Sequence, residues 1–149
     1  KFSGRDFYAD VYGTWMAGRI RDELGRGFDG VGWVPVSKKR RRSRGYDQSE
    51  LLARVIAKKL SLPLVPALQK HAERGPQSQL KDAAQRRSNA SGAFSVLPGA
   101  DVSGKTLLLI DDIVTTGATL SECCRVLKGA GAARVACAAF ASPRNENER

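Results

Sequence analysis

Residues 106–112 (TLLLIDD) limit the possible fold of this chain more than any other stretch. Four consecutive aliphatic residues followed by two acids are typical of a strand that is buried on both faces and ends at a polar edge. Strands of this kind belong to parallel sheets, whose connections need crossover helices. The run therefore predicts a chain in which strands alternate with helices.

The rest of the chain fits this alternation. Apolar residues at three- and four-residue steps predict a helix from Tyr8 to Leu24, and Asp47 with Glu50 resembles a capping box that opens a second helix ending near Leu60. A third helix is predicted from Ala118 to Leu127. Strands are predicted at 31–36, 64–68, 92–96, 106–111 and 133–140. We expect an α/β fold with a central, mainly parallel sheet flanked by helices, in a single domain spanning 1–149.

Two loops in the sequence are candidates for binding a phosphate. Residues 99–106 (GADVSGKT) match the Walker A pattern, but Lys105 and Thr106 lead directly into the best strand of the chain. A Walker A loop opens a helix whose N-terminus holds the phosphates, and no helix is predicted here. We interpret 97–105 as a turn between strands, and we expect Lys105 to tolerate replacement.

The loop after the strand fits a phosphate better. It offers hydroxyls from Thr115, Thr116 and Thr119, close backbone approach at Gly117, and the N-terminus of the helix that begins near Ala118. Adjacent carboxylates, Asp111 and Asp112, repel each other unless they have partners. Sugar hydroxyls or a Mg²⁺ carried by the ligand would supply them, whereas capping a turn explains only one of the two.

Charge and cysteine content indicate the kind of ligand and the kind of compartment. The 149 residues carry a formal net charge of +10, and six of the seven residues at 38–44 (KKRRRSR) are basic. A phosphorylated metabolite or a nucleic acid suits such a surface, and a solvated basic loop is the alternative. Cys123, Cys124 and Cys137 cannot form a disulfide framework, so we interpret them as small apolar residues in a reducing compartment. No membrane span is expected.

Residues 107–119 (LLLIDDIVTTGAT) resemble, at every position, the phosphoribosyl-pyrophosphate (PRPP) signature of type I phosphoribosyltransferases. The stretches 42–53 (RSRGYDQSELLA), 76–94 (PQSQLKDAAQRRSNASGAF) and 141–144 (ASPR) are similar to the ComF/GntX group, the competence-protein-F-like members of that superfamily. Where members often show VPVP before the basic run, this chain has Val36 and Ser37. Members often begin with a zinc-ribbon-like segment, which we expect to lie outside this chain.

The resemblance implies roles for individual residues. Asp111 and Asp112 would bind the ribose hydroxyls, and they are the expected catalytic residues together with Arg74. The expected groups are the 5′-phosphate loop (Thr115, Thr116, Gly117, Ala118, Thr119), the pyrophosphate loop (Ser37, Lys38, Lys39, Arg40) and a closing loop at 71–90 (Arg74, Gln77, Arg86, Arg87). Mg²⁺ would arrive with PRPP near the two aspartates, and no metal is expected on protein side chains alone.

The function implied by the resemblance is Mg²⁺-dependent binding of PRPP, or transfer of its 5-phosphoribosyl group to a nitrogenous acceptor with release of pyrophosphate. It would serve nucleotide metabolism or DNA uptake in competence, in the cytoplasm. The alternative is a single-stranded DNA-binding competence protein that uses PRPP as a ligand or regulator. A homodimer is a further expectation, and residues 143–149 are expected to be a disordered tail.

Overall fold

The computed structural model describes residues 4–71 and 92–142, which form four helices and five strands. In chain order they are α1 (Gly4–Leu24), β1 (Gly30–Trp33), α2 (Lys38–Arg44), α3 (Gln48–Leu60), β2 (Leu68–Lys70), β3 (Phe94–Val96), β4 (Thr106–Ile113), α4 (Ala118–Gly129) and β5 (Arg134–Ala141). The predicted start of the third helix at Ala118 is confirmed. Strand β4 begins at Thr106, directly after Lys105, so the Walker-like segment does not open a helix.

A parallel sheet organises the fold in the order β1–β4–β5. Strands β2 and β3 form a separate antiparallel pair. The predicted strand at 64–68 is wrong in its bounds: Leu64 makes only an isolated parallel bridge to Val31, and β2 begins at Leu68. Prolines at 63 and 66 explain the interruption, because proline has no amide hydrogen for a strand ladder.

Strand β4 separates two apolar cores. Leu108 and Ile110 are buried against α1 and α3, whereas Leu107 and Leu109 are buried against α4 and the β2–β3 pair. Successive side chains of a strand point to opposite faces of the sheet, so alternate residues of β4 reach the same core. The prediction of a strand buried on both faces is confirmed, and the expected α/β architecture with it.

The apolar face predicted for α1 is only partly buried. Met16 and Ile20 are buried, but Tyr8, Val11 and Trp15 stay 46–58% exposed. The ring of Trp15 lies edge-on to Phe140 of β5, and the rings of Tyr12 and Phe140 approach to 4.4 Å between centroids. The predicted helix is confirmed, but it begins at Gly4, and its apolar face is buried only around Met16 and Ile20. No helix among the described residues is long and apolar enough to cross a membrane.

The strand order places the expected ligand crevice beyond the carboxyl ends of β1 and β4. From β1 the chain passes through α2 and α3 to Leu64 on one side of β1, and from β4 it passes through α4 to β5 on the other side. In an open parallel sheet, ligands bind beyond the carboxyl ends of the strands where the connections diverge in this way. The amide of Val34 donates to the carbonyl of Ile110 at 2.9 Å, so the chain leaving β1 runs beside the end of β4.

Candidate functional site

The two aspartates end β4 in a hydrogen-bonded cluster with Ser49 of α3. The Ser49 hydroxyl donates to Asp111 Oδ1 at 3.1 Å. The Asp112 amide donates to Asp111 Oδ1 at 2.9 Å and to Ser49 Oγ at 3.1 Å. Ser49 therefore fixes the orientation of the first carboxylate and the backbone of the second.

Burial controls the charge of Asp111. The residue is 7% exposed, and the loss of water around it raises the pKa of its carboxyl from 3.8 to about 6. The Asp112 amide and the Ser49 hydroxyl act in the opposite direction, because they donate hydrogen bonds to the ionised form. Asp111 is thus mostly ionised at neutral pH, and it can accept hydrogen bonds from a ligand.

Asp112 is more open to solvent than Asp111. Its Oδ1 accepts a hydrogen bond from the amide of Ile113 at 2.8 Å. The side chain is only half-buried, so its remaining oxygen can reach a bound molecule. Asp111 is thus buried and held by hydrogen bonds from Ser49 and the Asp112 amide, whereas Asp112 is the more accessible carboxylate of the pair.

The loop after β4 forms an anion site at the start of α4. Residues 113–120, together with Asp111, line a small open hollow of about 30 Å³ that includes all five predicted phosphate-loop residues. Gly117 precedes the helix with φ at 75°, a left-handed conformation that favours glycine. Gly117 has no side chain that could cap this helix, Thr116 Oγ1 accepts, among the described residues, only from the amide of Ala118 at 3.4 Å, and no acid lies in the first turn. The exposed amides and the helix dipole favour an anion here.

The segment after β1 is fixed by Asp47, which connects it to the start of α3. Asp47 caps α3 by accepting from the amide of Glu50 at 3.3 Å, as the capping prediction required. Its other oxygen accepts from the amide of Val36 at 3.0 Å. The same helix N-terminus carries Ser49, so the segments after β1 and β4 are both attached to the first turn of α3.

The basic run forms a helix, and the prediction of a loop there was wrong. Ser37 is the N-cap of α2, and its hydroxyl accepts from the amide of Arg40. Lys38, Lys39 and Arg40 make up the first turn. Arg41 lies 2.9 Å from Glu50 of α3 and holds the two helices together. Three cations therefore sit at the positive end of a helix, an unfavourable arrangement that a bound anion would stabilise.

The structure thus brings two of the three predicted residue groups to one edge of the sheet. The aspartates lie at the end of β4, the threonine loop follows that strand, and the residues from Ser37 to Arg40 follow β1. The third group, Arg74, Gln77, Arg86 and Arg87, lies outside the described residues, as does the tail at 143–149. Neither Ser49 nor Asp47 was predicted to be a site residue. The capping pattern located Asp47 but gave no sign of its bond to Val36.

The acidic pair fits a magnesium ion that is carried by a ligand. Within residues 4–71 and 92–142, no cluster of three or more histidine, cysteine or acidic side chains could hold a metal. Mg²⁺ commonly keeps several waters and binds one or two carboxylates together with substrate phosphates. Asp111 and Asp112 are the residues that would approach it.

Comparisons with known proteins agree with this geometry. Residues 47–149 match the family model described as "Phosphoribosyl transferase domain". The fold is similar to that of the glutamine PRPP amidotransferase from B. subtilis, with a TM-score of 0.62 and 24% identity over 91% of this chain and 26% of that one. The chain therefore belongs to the type I phosphoribosyltransferase family.

Within that family, the relatives indicate the ComF group. The chain is 30% identical to Competence protein F of Haemophilus influenzae over 99 residues, which are 66% of this chain and 43% of that protein. It is 32% identical to the DNA utilization protein YhgH of Escherichia coli O157:H7 over 103 residues, 68% and 44% of the two chains. The chain thus matches less than half the length of these relatives. It is a member of the ComF family.

Proposed function

We propose that this domain binds PRPP together with Mg²⁺ and transfers its 5-phosphoribosyl group to a nitrogenous acceptor, releasing pyrophosphate, in the cytoplasm. One observation carries the proposal: the buried carboxyl of Asp111 is joined by a single short loop to the start of α4, where the N-cap residue Gly117 offers no side chain. A ligand with adjacent hydroxyls and a phosphate ester has the chemistry that this loop recognises.

Each part of the site has a separate task in this proposal. Asp111 and Asp112 accept hydrogen bonds from the ribose hydroxyls, and the amides of Thr119 and its neighbours at the start of α4 hold the 5′-phosphate. The first turn of α2 neutralises the pyrophosphate. When bound, Mg²⁺ would offset the charge that develops on the departing pyrophosphate. Positioning and charge neutralisation supply most of the catalysis, because the transfer needs little acid–base chemistry from the protein.

Calorimetric titration with PRPP tests the proposal directly. We expect the wild-type domain to bind PRPP in the presence of Mg²⁺ and to bind it much more weakly when EDTA is present. Asp112→Asn is expected to bind about 10–100-fold more weakly, because a charged acceptor of a ligand hydroxyl is lost. The release of pyrophosphate with a panel of purine, pyrimidine and amine acceptors then measures transfer.

Lys105→Ala is the matched control. Its side chain pairs with Asp101 at 2.8 Å on the surface and lies at the opposite end of β4, so PRPP affinity should not change. Wild-type protein that takes up PRPP equally with and without Mg²⁺, or not at all, contradicts the proposal. An Asp112→Asn variant that binds PRPP with wild-type affinity also contradicts the proposal.

A second candidate function, binding of single-stranded nucleic acid, is supported by α2. No residue of this helix is buried, and six of its seven side chains are basic. Of these six basic side chains, only Arg41 forms an ion pair with the residues that the structure describes. The names of the two curated relatives, which refer to competence and DNA utilization, agree with such a role. The exposed cations form a surface that can follow a phosphate backbone.

A salt series with a labelled single-stranded oligonucleotide tests this second function. We expect affinity to fall with salt with a slope of about −0.7 for each neutralised phosphate. The double variant K39Q/R42Q should reduce the slope by about 1–2, whereas Lys128→Gln, an exposed cation on α4, should not. Binding that is independent of salt, or equal effects of the two variants, would exclude α2 as the nucleic-acid surface.

A further inference from the structure

Two cysteines that are distant in sequence meet where α4 packs on β5. The Sγ atoms of Cys124 and Cys137 lie 3.3 Å apart. Cys124 is in the second turn of α4, and Cys137 is in β5 opposite Leu109. Both side chains are half-buried, so small reagents can reach them. A disulfide has a sulfur–sulfur distance of about 2.05 Å, so the bond requires an approach of only about 1.3 Å.

We propose that Cys124 and Cys137 form a redox modification site, at which a small peroxide or disulfide oxidant closes a reversible disulfide between α4 and β5. The proposal rests on this packing alone and does not depend on the ligand that the crevice binds. Disulfides in reducing compartments are usually transient and serve redox sensing, which is the behaviour expected of a pair that is free in the resting protein.

The two thiols have different roles in the reaction. Either sulfur can donate the hydrogen bond between them, and the arrangement with Cys137 as donor favours the thiolate of Cys124. This contact lowers the pKa of Cys124 to about 7 and raises that of Cys137. Lys128, one turn further along α4, also favours the Cys124 thiolate. Cys124 is therefore the attacking thiolate at neutral pH, and Cys137 is the resolving thiol.

With oxidised glutathione, the Cys124 thiolate attacks one sulfur and displaces a glutathione thiolate, leaving a mixed disulfide. The Cys137 sulfur, which loses its proton to solvent, then attacks Cys124 Sγ and displaces the second glutathione. The two protein thiols lose two electrons and two protons in total, and one glutathione disulfide becomes two glutathione thiols. A dithiol reductant reverses both steps.

Cys123 provides a matched control on the same helix. It is adjacent to Cys124 but completely buried against the sheet, and burial raises the pKa of its thiol to about 12. A thiol with so little thiolate at neutral pH reacts slowly with disulfides and peroxides. The chain thus carries a reactive pair and an unreactive neighbour side by side.

Intact mass spectrometry of the full chain after treatment with oxidised glutathione tests the proposal. We expect the wild type and Cys123→Ser to lose two hydrogens in mass, with recovery after dithiothreitol. Cys124→Ser should form no internal disulfide, and Cys137→Ser should stop at a stable glutathione adduct. The oxidised wild type should unfold at a temperature roughly 5–10 °C higher than the reduced protein, because the bond restricts the unfolded chain between the two cysteines.

Two results would overturn the proposal. The first is a wild-type protein that accumulates only glutathione adducts, or none, while it is still folded by circular dichroism. The second is an internal disulfide that disappears in Cys123→Ser, because Cys123 would then be the reacting residue.

Discussion

Replacing Asp111 with asparagine should make the domain more stable at pH 7.5 while it removes affinity for PRPP. Burial raises the pKa of this carboxyl to about 6 in the folded protein, above its ordinary value of 3.8. The ionised side chain therefore opposes folding. A difference of about two pKa units corresponds to at most ~3 kcal/mol, and we expect a gain of about 1–3 kcal/mol in the variant.

The pH dependence of this gain follows from the sign of the shift. Because the folded-state pKa is the higher one, the favourable contribution of the protonated carboxyl is complete below pH 3.8. It is lost as the pH rises through 6. Asparagine has no charge at any pH, and its Oδ1 can still accept from Ser49 and from the Asp112 amide. Urea unfolding at pH 4, 6 and 7.5 should show a difference that grows with pH.

Asp101→Asn is a suitable control for the charge change. Asp101 is an exposed acid whose pKa is lowered by its hydrogen bond from Lys105, so its replacement should give no gain in stability at pH 7.5. If Asp111→Asn is less stable than the wild type at pH 7.5, or if its gain is the same at pH 4, burial of the charge is not the cause.

The second large effect is expected for Asp47→Ala. The variant removes the cap of α3, which is worth about 1 kcal/mol, and leaves the Val36 amide without its acceptor, at a cost of about 1–3 kcal/mol. We expect the free energy of unfolding to fall by about 2–4 kcal/mol. PRPP affinity should fall at least tenfold, because the first turn of α3 holds the segments after both β1 and β4.

Asp29→Ala separates the effect on binding from the effect on stability. Asp29 also accepts from a backbone amide, that of Thr106 at 2.7 Å, but at the opposite end of the sheet. Its replacement should lower the free energy of unfolding without weakening PRPP binding. Equal loss of affinity in the two variants, measured by calorimetry at a temperature where both are folded, would remove Asp47 from the site.

The parts of the fold with strong local signals could be predicted from the sequence. The aliphatic run of β4 and the glycine before α4 located both elements correctly. The helical state of the basic run was missed because none of its residues is apolar, so it has no hydrophobic period. The flanking residues carried the signal: Ser37 caps the helix, and Gly45 ends it with φ at 78°. The partial exposure of α1 was missed because periodicity shows a face but not its partner.

The contacts that complete the site depend on tertiary packing, which no local pattern encodes. Ser49 and Asp111 are 62 positions apart in the chain and meet only because α3 crosses the carboxyl end of β4. The same holds for Cys124 and Cys137, which the sequence suggested were ordinary apolar residues and which packing of α4 on β5 brings together. The residue types indicated which side chains could react or bind, and the fold determined which side chains contact each other.

The position of β4 between two cores determines which site residues are rigid before a ligand binds. Leu107 to Ile110 are at most 1% exposed, so this strand can open only when both cores open. Within a few residues the chain reaches Thr115 and Thr116, which are exposed. The carboxylates are therefore preorganised before a ligand arrives, and the threonines adjust to it. The entropic cost of recognition is confined to a few loop residues.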